Sequence, residues 1–236
     1  MKPFVYVVLG SSESGKRTVL ADLLQHALTV VPSATIYIPA DEAPSAPLEA
    51  LQLQYPQIQF ASWSIQDGCL LAPQPHTGVS CSFFIFPGKR SPIEGLEPLR
   101  DWLLEQELSL ARVISVLNVS QTSKDSNLKE WYDVCLHFTD VVVFTHEDKG
   151  LAAWSEAYKA AFRKAHYPCL FLHAPHGLVD NPSLALDHTV RRISQAFDEE
   201  IVMDDDEETE PETPYIDPYF ERLSTGEYAR PLKHLE

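Results

Sequence analysis

The sequence lacks any stripe of basic residues. Its 236 residues hold 18 Lys and Arg against 34 Asp and Glu, a net charge of −16. Without a basic face to displace counterions from phosphates, nucleic acid is not expected as a partner. No apolar run approaches the roughly 18 residues that a bilayer span needs, so a membrane is not expected either. A strand is expected directly after Met1-Lys2-Pro3, and no signal peptide is expected. The four cysteines, Cys69, Cys81, Cys135 and Cys169, are scattered and show no CxxC spacing. They are expected as free, half-buried thiols in a reducing compartment, and the expected location is cytoplasmic.

What is present is unevenly spread. From Asp198 to Glu236 there are 14 acids and 3 bases, which leaves 20 against 15 in the first 197 residues. The body is therefore mildly acidic and the tail strongly so. Asp198 to Glu212 holds ten acids and no base. Such a run cannot bury enough apolar surface to offset its ordering entropy, and it is expected to stay solvated and disordered. Tyr215 to Arg222 turns aromatic again and has the look of a short docking peptide for a protein partner.

The chain length suits one α/β domain with an appendage, or two small domains. Phe4 to Leu9 is a short β-branched and aromatic run, fit for a strand buried on both faces. Apolar positions at Val19, Leu20, Leu23, Leu24 and Leu28 recur with helical period until Pro32. Strands are expected at 34–38, 58–63, 83–86, 113–119, 141–145 and 169–173. Helices are expected at 47–55, 93–108, 127–137, 152–165 and 184–197, with loop from 65 to 81. This alternation predicts a mostly parallel sheet with helices on both faces. Residues 1–197 are expected to form that domain and 198–236 the tail.

Between the first strand and the first helix stands Gly10-Ser11-Ser12-Glu13-Ser14-Gly15-Lys16, a GxxxxGK phosphate loop in its required context. Glycines let the backbone wrap a phosphate, and the amides of Ser12 to Lys16 with the helix N-terminus supply positive potential. Lys16 neutralises charge. The next residue is commonly Ser or Thr, whose hydroxyl ligates Mg²⁺. Here it is Arg17, which cannot ligate a cation, while Thr18 follows one place late with reach to an α-phosphate. Glu13 puts a carboxylate inside the loop, where it must face away from phosphates.

At these residues the sequence resembles the CobW/HypB/UreG family of P-loop GTPases, its CobW branch in particular, over about Lys2 to Phe197. Gly10 to Thr18 is similar to the family's GxxGxGKTT. Asp41-Glu42 stands where the family has Asn-Glu. Asp67-Gly68-Cys69-Leu70-Leu71 resembles its Gly-Cys-x-Cys-Cys metal stretch with one cysteine left. Phe83 to Gly88 keeps the strand and glycine of Glu-x-x-Gly but lacks its carboxylate. Arg112 to Val119 resembles the strand that ends in Val-Asp. Asp140 to Asp148 resembles the strand that ends in Asn-Lys-x-Asp, with Thr145 for the asparagine, His146 for the lysine and Asp148 as the guanine reader.

The resemblance implies a P-loop NTPase-like fold and GTP or GDP as ligand. Phosphates would lie on Lys16 and the loop amides, the α-phosphate on Thr18, and the base on Thr145 and Asp148. It implies hydrolysis in the family, but both usual Mg²⁺ anchors have changed here, so weak or absent turnover is expected. A helix N-cap role would also account for Asp148. Cys69 with His76 and Cys81 makes at most three zinc ligands in a loop, which argues against zinc. Two other readings stay open: a pseudo-GTPase that binds a protein partner through its tail, and a P-loop small-molecule kinase.

Overall fold

The computed structural model describes residues 3–76, 78–198, 215–232 and 234–235. Eight strands form one sheet: β1 (Phe4–Leu9), β2 (Ala34–Pro39), β3 (Ile58–Gln66), β4 (Cys69–Leu71), β5 (Cys81–Ile85), β6 (Leu110–Asn118), β7 (Val141–Thr145) and β8 (Leu170–His173). The helices are α1 (Lys16–Ala27), α2 (Ala46–Gln54), α3 (Ile93–Glu105), α4 (Val119–Thr122), α5 (Ser126–His137), α6 (Ala152–Lys164) and α7 (Pro182–Leu186). The strand order is β4-β3-β2-β5-β1-β6-β7-β8, and every pair is parallel except β3 with β4. The expected mostly parallel α/β sheet is what the chain forms. No helix among the described residues is long and apolar enough to cross a membrane.

The strands are buried because alternate residues feed two cores. In β5, Phe83 stacks on Tyr6 of β1 at 4.7 Å on one face. Phe84 stacks on Tyr37 of β2 at 4.1 Å on the other. Period-2 alternation with both faces covered explains why these strands read as continuous apolar runs. One core packs Val19, Leu20, Leu23 and Leu24 of α1 against the sheet, the other Leu96, Leu99 and Trp102 of α3 with Trp131 and Tyr132 of α5.

Two expectations about elements differ from the structure. The stretch from 65 to 81 is not all loop, because β3 continues to Gln66 and turns into β4. Asp67 (φ 51°) and Gly68 (φ 78°) make that turn. Asp-Gly with both residues at positive φ is the sequence that a tight hairpin favours. The last helix stops at Leu186 instead of running to Phe197. Tertiary polar contacts override the helical period there. The Asp187 carbonyl accepts from the Arg112 guanidinium, the Arg191 amide donates to Asp140 at 2.6 Å, and Arg192 pairs with Asp140 at 3.2 Å. The Asp140 and Arg192 side chains are fully buried in this pair.

Residues 199 to 214, most of the acidic run, lie outside the described residues. The aromatic stretch after it lies against the body of the same chain. Phe220 is buried and stacks on Phe138 at 5.3 Å. Asp217, also buried, accepts from His137 at 2.9 Å, from the Tyr219 amide at 2.9 Å and from the Ser194 hydroxyl. Farther on, Tyr228 donates to Glu97 of α3 at 2.7 Å, and the Leu235 amide to the Lys89 carbonyl at 2.8 Å.

Burial by itself would raise the Asp217 carboxyl, but the hydrogen bonds from His137, Ser194 and the Tyr219 amide outweigh it and hold the group below its ordinary value. A depressed carboxyl contributes stability that is present above the unfolded-state value and is lost as pH falls through the folded one. Wild type is therefore expected to lose stability to urea as pH falls below 3.8 through the depressed folded value. In Asp217→Asn this part of the acid-side loss should vanish. Phe220→Ala should lower stability by about 3 kcal/mol, the cost of emptying a buried phenyl site. A wild-type urea midpoint for Phe220→Ala would mean that the segment adds nothing to the core.

Candidate functional site

The phosphate loop leaves the carboxyl end of β1, where the chain goes first to β2 on one side and later to β6 on the other. In open parallel sheets this switch point is where ligands bind. The loop turns at Glu13 (φ 61°) and enters α1 at Gly15 (φ 80°), which is the N-cap. A side chain at Gly10 would meet the Ser14 hydroxyl at 2.6 Å and the Val116 carbonyl at 2.8 Å, so only glycine lets the loop pass β6.

The loop's backbone is held from outside. The Ser11 amide donates to the Tyr132 hydroxyl at 3.0 Å, and that hydroxyl donates to the Val116 carbonyl at 2.7 Å. Burial pushes the Tyr132 phenol well up, so it stays neutral and able to donate. Thr145 donates to the Ser14 carbonyl at 2.7 Å, and Asn118 to the Glu13 carbonyl at 3.1 Å. Lys16 donates to the Gly10 carbonyl at 2.8 Å. Among the described residues, the amides of Ser12, Glu13, Gly15, Lys16 and Arg17 donate to no protein group. The buried Ser14 hydroxyl has no partner there either. A ring of unspent donors around a buried cation fits a phosphate group.

Lys16 itself is buried, which lowers its ammonium to about 8, with Glu42 raising it and Arg17 lowering it. Glu13 is exposed, and its carboxylate accepts from Gln121 of α4 at 3.1 Å. Thr18 is exposed, and its methyl lies against Gly177 after β8, where a Cβ would come within 2.5 Å. Gly88 after β5 lies directly over the loop, since a Cβ there would stand 2.3 Å from the Ser12 nitrogen.

The residues around the loop do not fit a magnesium ion held in the usual way. Arg17 takes the place of the hydroxyl ligand and pairs with Glu42, and it donates to the Ala43 carbonyl at 2.6 Å. Asp41 pairs with Arg90 at 3.4 Å. The carboxylates nearest in sequence to the loop's partner strand are thus both engaged by guanidinium groups. Among the described residues, no three His, Cys, Asp or Glu side chains gather as a metal site. Cys69 is exposed at the β3–β4 hairpin, whereas Cys81 is buried and donates to the Ser33 carbonyl at 3.7 Å.

At the end of β7, Thr145 is buried beneath the loop and His146 follows at φ 51°. The His146 ring lies 3.4 Å from where a Gly15 Cβ would stand. Thr145 thus ties the loop that carries Asp148 to the phosphate loop. Asp148 is exposed and occupies an N-cap position, but its side chain makes no capping bond, so capping does not account for its carboxylate. Next to it, Lys159 donates to His173 Nε2 at 2.8 Å, which leaves His173 Nδ1 to donate to Glu147 at 2.7 Å. His173 braces β8 to this loop, and exposed His176 stands apart from it.

Sequence reasoning missed Tyr132, Asn118 and Gln121. The signal for Tyr132 was only a phenol on the buried side of an amphipathic helix, and such a hydroxyl needs a partner. Asn118 ends a strand and also caps α4, accepting from the Gln121 amide at 3.1 Å. Asparagine before a short helix is the trace it leaves.

No family model and no curated protein matches the chain in sequence. Solved structures do match in shape. The hydrogenase maturation factor HypB from Archaeoglobus fulgidus is 13% identical with a TM-score of 0.51, covering 74% of this chain and 82% of its own. Chloroplast FtsY from Physcomitrella patens is 13% identical with a TM-score of 0.50, covering 84% of this chain and 64% of its own. A fainter likeness, at 16% identity and a TM-score of 0.44, is to the YjiA GTPase from E. coli, covering 81% of this chain and 67% of its own. Identities this low speak to fold alone. The fold they share with this chain is the mostly parallel α/β sheet of P-loop NTPase type.

Proposed function

We propose that the chain binds a guanine nucleotide, in the manner of CobW-type GTPases, and turns it over slowly or not at all. The observation that carries this reading is the join between the two loops. The Thr145 hydroxyl grips the Ser14 carbonyl at 2.7 Å, which fixes the loop of Asp148 relative to the phosphate loop. Phosphates would take the amides of Ser12 to Lys16, with Lys16 released from the Gly10 carbonyl to meet them. Thr18 would donate to the α-phosphate, and the free Asp148 carboxylate would accept from the guanine N1 and N2 hydrogens. Glu13, held by Gln121, would not repel the phosphates.

Slow turnover follows from charge. Phosphoryl transfer needs cations to spread the charge that develops in the transition state. The position of the metal's hydroxyl ligand holds Arg17, and Asp41 and Glu42 are paired with arginines. The same pairs favour a role as a nucleotide-dependent interaction module, a pseudo-GTPase. A fold of this kind also serves small-molecule kinases, but Lys89 and Arg90 are a thin supply of cations for a phosphate-closing lid.

Lys16→Ala should abolish GDP binding by calorimetry without changing the circular dichroism spectrum. Equal affinity in wild type and variant would end the phosphate-loop assignment. Lys16 also sets a pH dependence. Its ammonium sits at about 8 in the free protein, and neighbouring phosphates would raise it. Below about pH 7 the lysine is already charged and binding takes up no proton. Above pH 8 each bound nucleotide must bring a proton in, so affinity should fall about tenfold per pH unit. Calorimetry in buffers of different ionisation enthalpy reads this uptake directly.

Asp148→Asn should weaken GDP by about 1–3 kcal/mol, the worth of a charge-assisted acceptor, while leaving ADP unchanged. Equal competition by ADP and GDP in the wild type would remove Asp148 from base recognition.

Arg17→Thr restores a hydroxyl and frees Glu42. Nucleotide affinity is expected to depend little on Mg²⁺ in the wild type and to gain Mg²⁺ dependence in the variant. Brisk Mg²⁺-dependent phosphate release by the wild type would contradict the slow-turnover reading.

A further inference from the structure

Beside the phosphate loop, on the far side of Gly88, lies a cavity of about 270 Å³. It opens at the carboxyl ends of β2, β3 and β5, between Pro39, Trp63, Phe86, Pro87 and, across from them, Trp131. These strand ends are where open parallel sheets take small ligands. None of the residues assigned to nucleotide above lines it.

Its chemistry is divided. The floor and walls are aromatic and aliphatic, and both indole N–H groups point their hydrogen bonds elsewhere. Trp63 donates to the Ile85 carbonyl at 3.2 Å, and Trp131 to the Arg90 carbonyl at 3.1 Å. The indoles therefore offer the cavity carbon and π surface, not donors. The charged groups that line it are Asp41, Arg90 and Glu94. Asp41 and Arg90 balance each other at 3.4 Å. Among the described residues the Glu94 carboxylate is then left in excess, with the His234 ring paired to it at 2.9 Å. Aromatic faces attract cations through their quadrupole, and a carboxylate at the rim adds to the same preference. The chain's net charge of −16 draws cations in general.

We propose that this cavity is a second ligand site, for a small organic cation with a flat apolar body, of the arylalkylamine class. The ring would lie among Trp63, Phe86 and Trp131, and the ammonium at the rim against Glu94. The proposal is independent of which nucleotide, if any, occupies the phosphate loop.

The test uses the full chain without nucleotide, titrated with phenethylamine and, in parallel, with 3-phenylpropionate of the same size and opposite charge. Saturable binding of the amine in the millimolar range is expected, as suits a ligand of so few atoms. The acid should bind at least about tenfold more weakly, the discrimination that one rim charge supplies. The indole N–H resonances of Trp63 and Trp131, assigned with single Trp→Phe variants, should shift on titration, and that of Trp154 on α6 should not. Glu94→Gln should weaken the amine about tenfold and leave the acid unchanged or tighter. Ala40→Trp, which fills the cavity from its exposed rim, should abolish binding while the protein stays folded. Equal binding of amine and acid would overturn the proposal, as would amine binding that leaves the Trp63 and Trp131 resonances unmoved. So would failure to saturate by about 10 mM, which corresponds to no specific affinity.

Discussion

A loop that keeps its amide donors unspent cannot be held in shape by them. This constraint organises the centre of the molecule. The phosphate loop has five such amides, so its shape has to come from its carbonyls and from the amides of Ser11 and Ser14. Tyr132 supplies a donor and an acceptor at the entry, Asn118 takes the Glu13 carbonyl, Thr145 the Ser14 carbonyl, and Lys16 the Gly10 carbonyl. Each comes from a different element: α5, the end of β6, the end of β7, and α1. The loop's geometry is thus a product of how four elements pack. Backbone groups buried without partners cost free energy comparable to a lost hydrogen bond, so these four contacts are what makes the open donor ring affordable.

The other end of the sheet is governed by a different rule. Asp140, at the start of β7, is buried and accepts from the Val113 amide at 2.8 Å, the Arg191 amide at 2.6 Å and the Arg192 guanidinium at 3.2 Å. Arg112 is buried close by and reaches Asp187. Such clusters add little net stability against an apolar equivalent, yet removing one member strands a buried charge and costs about 3–5 kcal/mol. Their effect here is positional. They pull the chain after α7 into an irregular path across the sheet's amino end, which brings Ser194 and then Asp217 to His137. The route of residues 187 to 198 is set by these charges.

Much of this was legible in the sequence. Strands buried on both faces are apolar throughout, and Phe4 to Leu9 or Val141 to Thr145 could hardly form anything else. The phosphate loop was legible because Gly10, Gly15 and Lys16 fall within one short stretch between a strand and a helix. What was hidden depends on residues that come from afar. Nothing local says that Tyr132 will meet Ser11, 121 positions away. The helix expected to Phe197 failed for the same reason, since its arginines find Asp140 some fifty residues upstream. The Asp67-Gly68 hairpin was different: its signal was local and strong, and it went unread because its setting resembled a metal stretch.

Charge balance around the loop links these observations to chemistry. A P-loop that uses a divalent metal needs carboxylates and hydroxyls whose negative character is free to meet it. Here the two carboxylates after β2 are met by arginines instead, Glu42 by Arg17 and Asp41 by Arg90. Arg17 is always charged and offers a planar fork of donors, a geometry that suits phosphate as well as carboxylate. On the proposed reading, Glu42 and the nucleotide would compete for that one fork, whereas a metal would have been shared between them. Glu42 raises Lys16 and Arg17 lowers it, so the two partners also pull the buried lysine in opposite directions. If Arg17 left Glu42 for a phosphate, the freed carboxylate would stand near a lysine already carrying charge. The pair therefore conserves the local charge in both arrangements, with Arg17 serving the carboxylate in one and the phosphate in the other. A substitution that keeps the cation but loses the fork, Arg17→Lys, separates those two roles, because lysine can neutralise Glu42 yet cannot bridge two oxygens in one plane.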